Sequence, residues 1–584
     1  MDLFKPLPPL EGSTVEKELN PLTIRSVVLG LVFGSLVSSS NVYLGLKTGF
    51  VFSANMFGAI FGFGVARFLS QTLGHVPVLG NRGVFGPSEN NMIQATASGA
   101  DGLSGFFVAA VPAMYRLSLL SDPEGANPVL RDFGKLTLLT LVCATFGLCW
   151  AVPFRKFFIV HVARELNLLF PSVAFTIRSM HGLVTGAADA NRKLKGLAYS
   201  FMGAFSLRVA SNYAIGLLWD WHIFTWFYIW GNYNNWAINI ENWGWYIDWT
   251  PAFIGSGLLV GLNVGISYFL GSVLAWRVIE PLIIRYGVYE GRATHPGDEK
   301  RGNMVSFLSL SDMDQPGNIP SPRNGVTDIN PTTAAAKASQ LVFGGVTSAQ
   351  GLPSEKALSA NIIAGAMAAG AADISNTIIS NYRTGFLLKT PLKPQFWAQA
   401  AGAIVSVFLA PGIFMLFVQA YPCVIQKDAD RCAFTASSVA ACAQAVTMRN
   451  VPIPRSFAIF ARVTGFVAVV QVILKSRFLV DDHTRPDGRG WYRYRKWLPN
   501  WVPIGMAFVL PATHYSTATL IGALTSCFWA KKSPWSHGMY CYAVAAGFIA
   551  GEGLGGVVQA VLEISGVSGS RYGTSIGCPG DDCY

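Results

Sequence analysis

The stretch Ser38-Ser39-Ser40-Asn41-Val42-Tyr43-Leu44-Gly45-Leu46-Lys47-Thr48-Gly49-Phe50 closes one apolar run of membrane length and opens the next. Polar groups and loosened backbone at membrane depth are costly unless they line a cavity or meet a partner. A weaker copy lies far down the chain, at Ser380-Asn381-Tyr382-Arg383-Thr384-Gly385-Phe386. Pro21 begins the run that ends at the first copy, and Pro353 begins the run that ends at the second. A polar-ended helix followed by Lys/Arg-Thr-Gly-Phe, used twice, predicts a duplicated architecture with a site between its halves.

The rest of the chain agrees with a membrane setting. Of its 584 residues, 51% are hydrophobic and only 13% charged, against roughly 25% charged in average soluble domains. Sixty glycines suit membrane helices whose backbones approach closely. The formal net charge of +11 does not indicate a nucleic-acid partner. The basic residues sit in short flanks between apolar runs, where a positive-inside bias places them. The fold class is therefore all-α and polytopic, with about 12–16 transmembrane helices in two related halves, some of them broken or re-entrant. The expected organisation is a polar N-terminal tail at 1–21, a first membrane half at 22–284, a polar and cytoplasmic linker at 285–353, a second half at 354–565 and a tail at 566–584. No cleavable signal peptide is expected; the first helix serves as the targeting signal.

Two loops orient the chain. Residues 219–250 hold eight of the sixteen tryptophans, and no lysine or arginine occurs between Arg208 and Arg277. That composition fits a non-cytoplasmic face, its aromatic residues forming a belt at the headgroups or, as the alternative, a substrate lid. The strongly charged loop at 475–497 fits the cytoplasm, as does the N-terminus. Apolar runs are expected near 22–46, 50–73, 103–120, 134–154, 196–218, 252–276, 354–380, 396–420, 433–448, 456–474, 501–529 and 538–563, the run at 501–529 interrupted at Pro511 and His514. The nine cysteines show no metal spacing. Cys423 and Cys432 flank a short polar loop and are candidates for a disulfide.

There is no Walker loop, no dinucleotide-binding glycine pattern and no zinc-type His/Cys cluster. An enzyme, a cofactor and a dedicated metal site are not expected. What remains is a set of intramembrane polar groups. Asn41, Tyr43 and Lys47 close the first span. Glu89, Asn90, Asn91 and Gln94 occupy a segment too polar for lipid and too apolar for a loop. Asp373, Asn376 and Asn381 precede Arg383. Glu552 lies in Gly551-Glu552-Gly553-Leu554-Gly555-Gly556, inside the last apolar run. Carboxylates in apolar surroundings can take up and release protons at accessible pH, the basis of proton relays in transporters. Glu89 and Glu552 are the candidates for that role. Each can equally be a charge that pairs with a neighbouring Lys or Arg and fixes the bundle.

At these residues the chain resembles the oligopeptide transporter superfamily, which includes the yellow-stripe-like metal-chelate transporters. Asn41-Val42-Tyr43-Leu44-Gly45-Leu46-Lys47-Thr48-Gly49 is similar to the family's first-helix signature. Gly86-Pro87-Ser88-Glu89-Asn90-Asn91-Met92-Ile93-Gln94-Ala95 is similar to its Gln-Glu-Asn motif, with Ser88 in place of glutamine. Ser272 to Ile283 resembles the helix end before the central loop, and Gly551-Glu552-Gly553 a late Gly-acid-Gly motif. Tyr382-Arg383-Thr384-Gly385 resembles Asp-Phe-Lys-Thr-Gly, but Asn381 replaces the acid and Arg383 the lysine, so no coupling role is carried to Asn381. Pro452-Ile453-Pro454-Arg455 is similar to a motif of the peptide branch, while Glu89-Asn90-Asn91 is closer to the yellow-stripe-like branch.

The resemblance implies proton-coupled, alternating-access uptake of small peptides, glutathione-like molecules or metal–chelator complexes by a multi-pass protein, of the plasma membrane rather than an internal one. The expected substrate-binding residues are Asn41, Tyr43, Lys47, Asn90, Asn91, Gln94, Asn381 and Arg383, with the proton on Glu89 or Glu552. The alternatives are a channel or membrane scaffold without coupled transport, or an exporter of a secondary metabolite. The partners are the substrate, protons and the lipid bilayer; oligomeric state is not legible.

Overall fold

The computed structural model describes residues 6–7, 21–48, 51–72, 85–122, 127–157, 159, 171–181, 186–232, 235–241, 245–279, 281–282, 332–426, 455–477, 498–509 and 513–575. They form helices almost throughout. The only strands among them are two-residue pieces: β1 (Ala214–Ile215) pairs with β4 (Thr574–Ser575), and β2 (Asp220–Trp221) with β3 (Ile247–Asp248). Six described helices are long and apolar enough to cross a membrane, and shorter apolar pieces pack beside them. The chain is an all-α, multi-pass membrane protein.

Around the site the helices are α1 (Ile24–Thr48), α2 (Asn55–Thr72), α3 (Pro87–Asp101), α4 (Phe106–Arg116), α5 (Pro128–Lys156), α6 (Pro171–Met180), α7 (Gly186–Ser211), α8 (Ile223–Trp230), α9 (Asn235–Glu241), α10 (Pro251–Val260) and α11 (Leu262–Val273). Farther along the chain come α12 (Thr332–Ala349), α13 (Ser354–Leu388), α14 (Leu392–Ala420), α15 (Arg455–Arg477), α16 (Trp501–Val509), α17 (Thr513–Lys532) and α18 (Pro534–Ile564). The helix α12 lies wholly inside the stretch read as linker. The apolar run expected at 252–276 is broken at Gly261, whose φ of 81° suits glycine. The run expected at 501–529 divides into α16 and α17, as Pro511 and His514 suggested. The run at 433–448 and the charged loop at 475–497 lie wholly or mostly outside the described residues. Cys423 is disulfide-bonded; its expected partner, Cys432, lies outside them too.

The short helix α3 is the hub. Its polar sequence would not face lipid, and its residues from Glu89 to Asp101 are all buried. Glycines let the neighbours close on it. A Cβ on Gly30 or Gly34 of α1 would run into Ile93, Thr96, Ala97 and Ala100, and one on Gly402 of α14 into the backbone of Thr96 and Ala100. The ladder of contacts fixes directions. Arg25 meets Glu89, Gly34 meets Ala97, Asn41 meets Asp101 and Gly45 meets Val108, so α1 runs parallel to α3 and α4. Asn381 meets Gln94, while Gly370 lies against Phe106, so α13 runs the opposite way.

A second glycine-lined seam sets Glu552. Gly547, Gly551 and Gly555 recur every four residues and face α7, at Leu197, Ser200, Phe201, Ala204 and Arg208. Gly553 and Gly556 face Ser40 and Tyr43 of α1. The Gly-Glu-Gly sequence thus lets α18 be gripped from two sides, with the acid between them.

Candidate functional site

The two Lys/Arg-Thr-Gly stretches do not meet. Because α1 and α13 are antiparallel, Lys47 and Arg383 stand at opposite ends of the bundle, roughly 25 Å apart at 1.5 Å per residue. They therefore do not share one pocket. Arg383 is 3% exposed, donates to the carbonyl of Ile159 at 3.3 Å and stacks on Phe386. Beside it the Leu7 amide bonds the Leu387 carbonyl.

Glu89 lies at the Arg383 end. Arg25 donates to it through Nη2 at 2.7 and 2.8 Å and Nε at 3.1 Å, and Thr23 Oγ1 at 2.6 Å. The Arg25 side chain is fully buried. Above this pair runs an amide network. Gln94 Nε2 donates to Asn55 Oδ1 at 2.9 Å and to Asn381 Oδ1, and Asn381 Nδ2 donates to Gln399 Oε1 at 2.8 Å. Asn55 Nδ2 reaches Ser380 at 3.1 Å, and Gln395 donates to the Asn381 carbonyl. Side chains from α2, α3, α13 and α14 are joined here. Asn90 and Asn91 are fully buried, and neither amide finds a hydrogen-bond partner.

The other end is built differently. Tyr43, Lys47, Arg208, Trp219, Asp220, Asp248, His514, Glu552 and Gln559 converge where α1, α7, α17 and α18 meet the β2–β3 pair. The half-buried Lys47 and Arg208 share one aromatic ring: the ammonium lies 5.4 Å and the guanidinium 4.4 Å from the Trp219 ring centroid. Arg208 also donates to the Tyr43 hydroxyl, and Gln559 Nε2 bonds the Arg208 carbonyl at 2.6 Å. Neither cation makes an ion pair among the described residues, and Arg208 Nε has no partner. Glu552 is held at the N-terminus of α10, accepting from the Ala252 amide at 2.7 Å and Thr250 Oγ1 at 3.0 Å. A helix N-terminus stabilises such a carboxylate.

Opposite them, His514 Nε2 stands 3.7 Å from Asp248 Oδ2, and its ring stacks on Tyr246. Burial pushes the Asp248 carboxyl well above the usual range, with the Asp220 charge adding to it and Lys47 opposing. Burial raises Asp220 as well, against the pull of Lys47. Among the described residues, Asp248 Oδ1, His514 Nδ1 and the Trp219 indole N–H are buried without partners. An array of aromatic faces, two cations and unmet hydrogen-bonding atoms can receive a small, flat, carboxylate-bearing molecule. Among the described residues, no three His, Cys, Asp or Glu side chains converge to hold a metal.

Of the residues expected from sequence, Tyr43, Lys47 and Glu552 come together here, and Asn41 lies below them. Asn90, Asn91, Gln94, Asn381, Arg383 and Glu89 belong to the opposite end. Arg208, Trp219, Asp248 and His514 were missed. The signal for Arg208 is that it is the last basic residue before the Lys/Arg-free stretch; the aromatic composition of that stretch points to a belt or a lid and marks no single cation.

Many antiparallel and re-entrant helices around a buried polar site define a membrane transporter class. The family model for the OPT oligopeptide transporter protein matches residues 21–311 and 323–563. The chain belongs to that family. It is 21% identical over 695 aligned residues to the metal-nicotianamine transporter YSL3 of Arabidopsis thaliana, covering 97% of this chain and 94% of that protein. To the metal-nicotianamine transporter YSL2 of the same plant it is 25% identical over 280 residues, 45% of this chain and 39% of the relative. With several rice relatives the match likewise spans well under two thirds of their length, 42% and 35% for YSL18 and YSL14.

Proposed function

We propose that this protein is a secondary transporter that carries metal–chelator complexes of the amino-carboxylate type across the membrane by alternating access, coupled to protons. One observation carries the reading. Lys47 and Arg208 both lie against the Trp219 indole and make no ion pair among the described residues, so both can take up an anionic ligand, the more readily when the nearby Asp220, Asp248 and Glu552 carry protons. An amino-carboxylate chelate would place its carboxylates on these cations and its backbone against Trp219 and Tyr43, while its metal stays wrapped in the chelator. The names of the YSL2 and YSL3 relatives favour that substrate class. Small peptides and glutathione-like molecules carry the same carboxylates and are the second reading.

Glu552 is the coupling acid in this account. It lies beside the two cations, with Arg208 and Lys47 both acting on its charge. Protonating it would leave them a stronger net attraction for the anion. Glu89, fully engaged by Arg25, is assigned to holding α1 on α3. The test is counterflow in proteoliposomes with nickel–, copper– and iron–nicotianamine, glutathione and a tetrapeptide, at matched and opposed pH. The reading predicts exchange of the chelates and accumulation driven by an inward proton gradient, with Glu552→Gln keeping exchange and losing accumulation. Passage of free metal without the chelator, or equal accumulation with and without the gradient, would refute it.

A further inference from the structure

Between the two ends, α3 and α13 face each other with carboxylates that neither end uses. Asn91, Gln94, Ser98 and Asp101 lie three or four residues apart and form one stripe of α3. It ends at Asp101, 8% exposed, whose carboxylate accepts from Asn41 Nδ2 at 2.8 and 2.9 Å and from Ser104 Oγ at 3.1 Å. Asn41 is fixed by its other bonds, to the Phe52 carbonyl and amide at 2.6 and 3.0 Å.

Across from Asp101 stands Asp373 of α13. A Cβ on Gly102 would sit 3.4 Å from the side chain of Ile374, which puts the chain neighbours of both acids in contact. Asp373 is 5% exposed, and its carboxylate accepts no hydrogen bond among the described residues; only its backbone carbonyl is used, by Thr377. A separate observation points to the same spot. Ser38 lies on the face of α1 between Gly34, which touches Ala100, and Asn41, which holds Asp101. Its side chain is fully buried, and its Oγ has no partner among the described residues.

Two close carboxylates in a membrane interior do not both carry charge unless a cation joins them. The other charged residues of the surrounding helices stand toward helix ends: Arg25 and Lys47 on α1, Glu89 on α3, Arg116 on α4, Arg131, Asp132, Lys135, Arg155 and Lys156 on α5, and Glu355, Lys356 and Arg383 on α13. Of the side chains on α5 that face this region, Cys143, beside Gly370, is the titratable one. Asp101, Asp373, Ser38 and Ser104 offer oxygen donors alone, which suit a proton or a hard monovalent cation. We propose that Asp101 and Asp373 form a cation site, with Ser38 and Ser104 as neutral ligands, that binds one proton or one sodium ion midway between the substrate cluster and the amide network. On the transporter reading, on which this role rests, the site is a second coupling position. Its charge is set by whether α13 lies against α3, so a movement of one hairpin past the other would load or empty it.

Infrared difference spectra of the full chain in lipid, between about pH 5 and about pH 8, test the site whether or not any substrate moves. The protonated-carboxyl band of the wild type, to which Asp220 and Asp248 also contribute, should lose the same component in Asp101→Asn and Asp373→Asn, a component that persists in Glu552→Gln and in Asp248→Asn. Sodium added at about pH 8 should change the carboxylate bands if sodium is the occupant and leave them unchanged if a proton is. If the Asn variants fail to give monodisperse protein, Ser38→Ala and Asp373→Glu serve instead, each shifting the midpoint of that component by about half a pH unit or more. Spectra of all folded Asp101, Asp373 and Ser38 variants identical to wild type, with and without sodium, would overturn the proposal. Loss of the component with failed counterflow would refute the transporter reading but not the site. In transport, Asp373→Asn should lower gradient-driven accumulation about tenfold and leave counterflow within about twofold.

Discussion

Lys47 and Arg383 carry nearly the same sequence signature and do opposite things. At the Lys47 end two cations lie against one indole; the carboxylates of Asp220, Asp248 and Glu552 act on them, but none is in ion-pair contact among the described residues. At the Arg383 end Arg25 is paired directly with Glu89, and amides interlock four helices. Unmet buried polar atoms occur at both ends, so the difference lies in the cations: one is locked in an ion pair, and two are left open to an anion. The antiparallel course of α1 and α13 explains how a repeated motif reaches both environments. The two copies lie at opposite ends of the described bundle.

If this division is right, changes at the Arg25–Glu89 end cost folding first. Arg25→Met leaves a buried carboxylate unpaired, a loss of about 3–5 kcal/mol. It should collapse the yield of monodisperse protein in fluorescence-detected gel filtration. The double variant Arg25→Met/Glu89→Leu should recover most of that yield, because an apolar pair of similar volume is tolerated. Recovery of fold together with gradient-driven uptake would remove Glu89 from coupling altogether; a folded double variant without coupling would return it to the candidates.

In the amide network the expected loss is smaller. Gln94→Leu strips a donor from Asn55 and Asn381 and should cost about 1–3 kcal/mol, seen as a lowered melting temperature with affinity for substrate unchanged. At the other end, Gly556→Ala places a methyl in the Tyr43 ring. The displacement should cost about 1–3 kcal/mol and also weaken binding, whereas Gly412→Ala, with nothing within 4 Å, should change neither.

The smallest effect concerns pH. Asp248 and Asp220 have raised pKa values through burial. Their share of stability is therefore complete at acid pH and falls away as pH rises past the unfolded range through the folded one. Their protonation also removes negative charge beside Lys47, so an anionic substrate should bind more tightly as pH falls. Asp248→Asn should raise affinity about three- to tenfold near neutral pH and flatten that dependence, read by isothermal titration with nickel–nicotianamine.

The helical class, the polar segment at Glu89–Gln94, the Gly-Glu-Gly grip on Glu552 and the doubled motif are all visible in the sequence. Each is a local pattern of residue type against apolar background. The site's membership is not. Arg208 lies 161 residues beyond Lys47 in the chain, and only the crossing of α7, α1 and α18, permitted by Gly551, Gly553 and Gly555, brings it under Tyr43. Arg383 shows the converse: its motif is visible, but helix direction, which a motif does not encode, sends it to the far end. Asp101 sits in a polar stretch where nothing local marks it from Ser98 or Ser104; its meaning comes from Asp373 on an antiparallel helix.

The most direct test measures equilibrium binding of radiolabelled nickel–nicotianamine to the purified full chain, comparing Arg208→Ala with Arg383→Ala, each checked for monodispersity. The account predicts at least about a tenfold loss of affinity, near 1.4 kcal/mol, for Arg208→Ala and less than about twofold for folded Arg383→Ala. Equal affinity in wild type and Arg208→Ala, with the loss falling on Arg383→Ala instead, would contradict it.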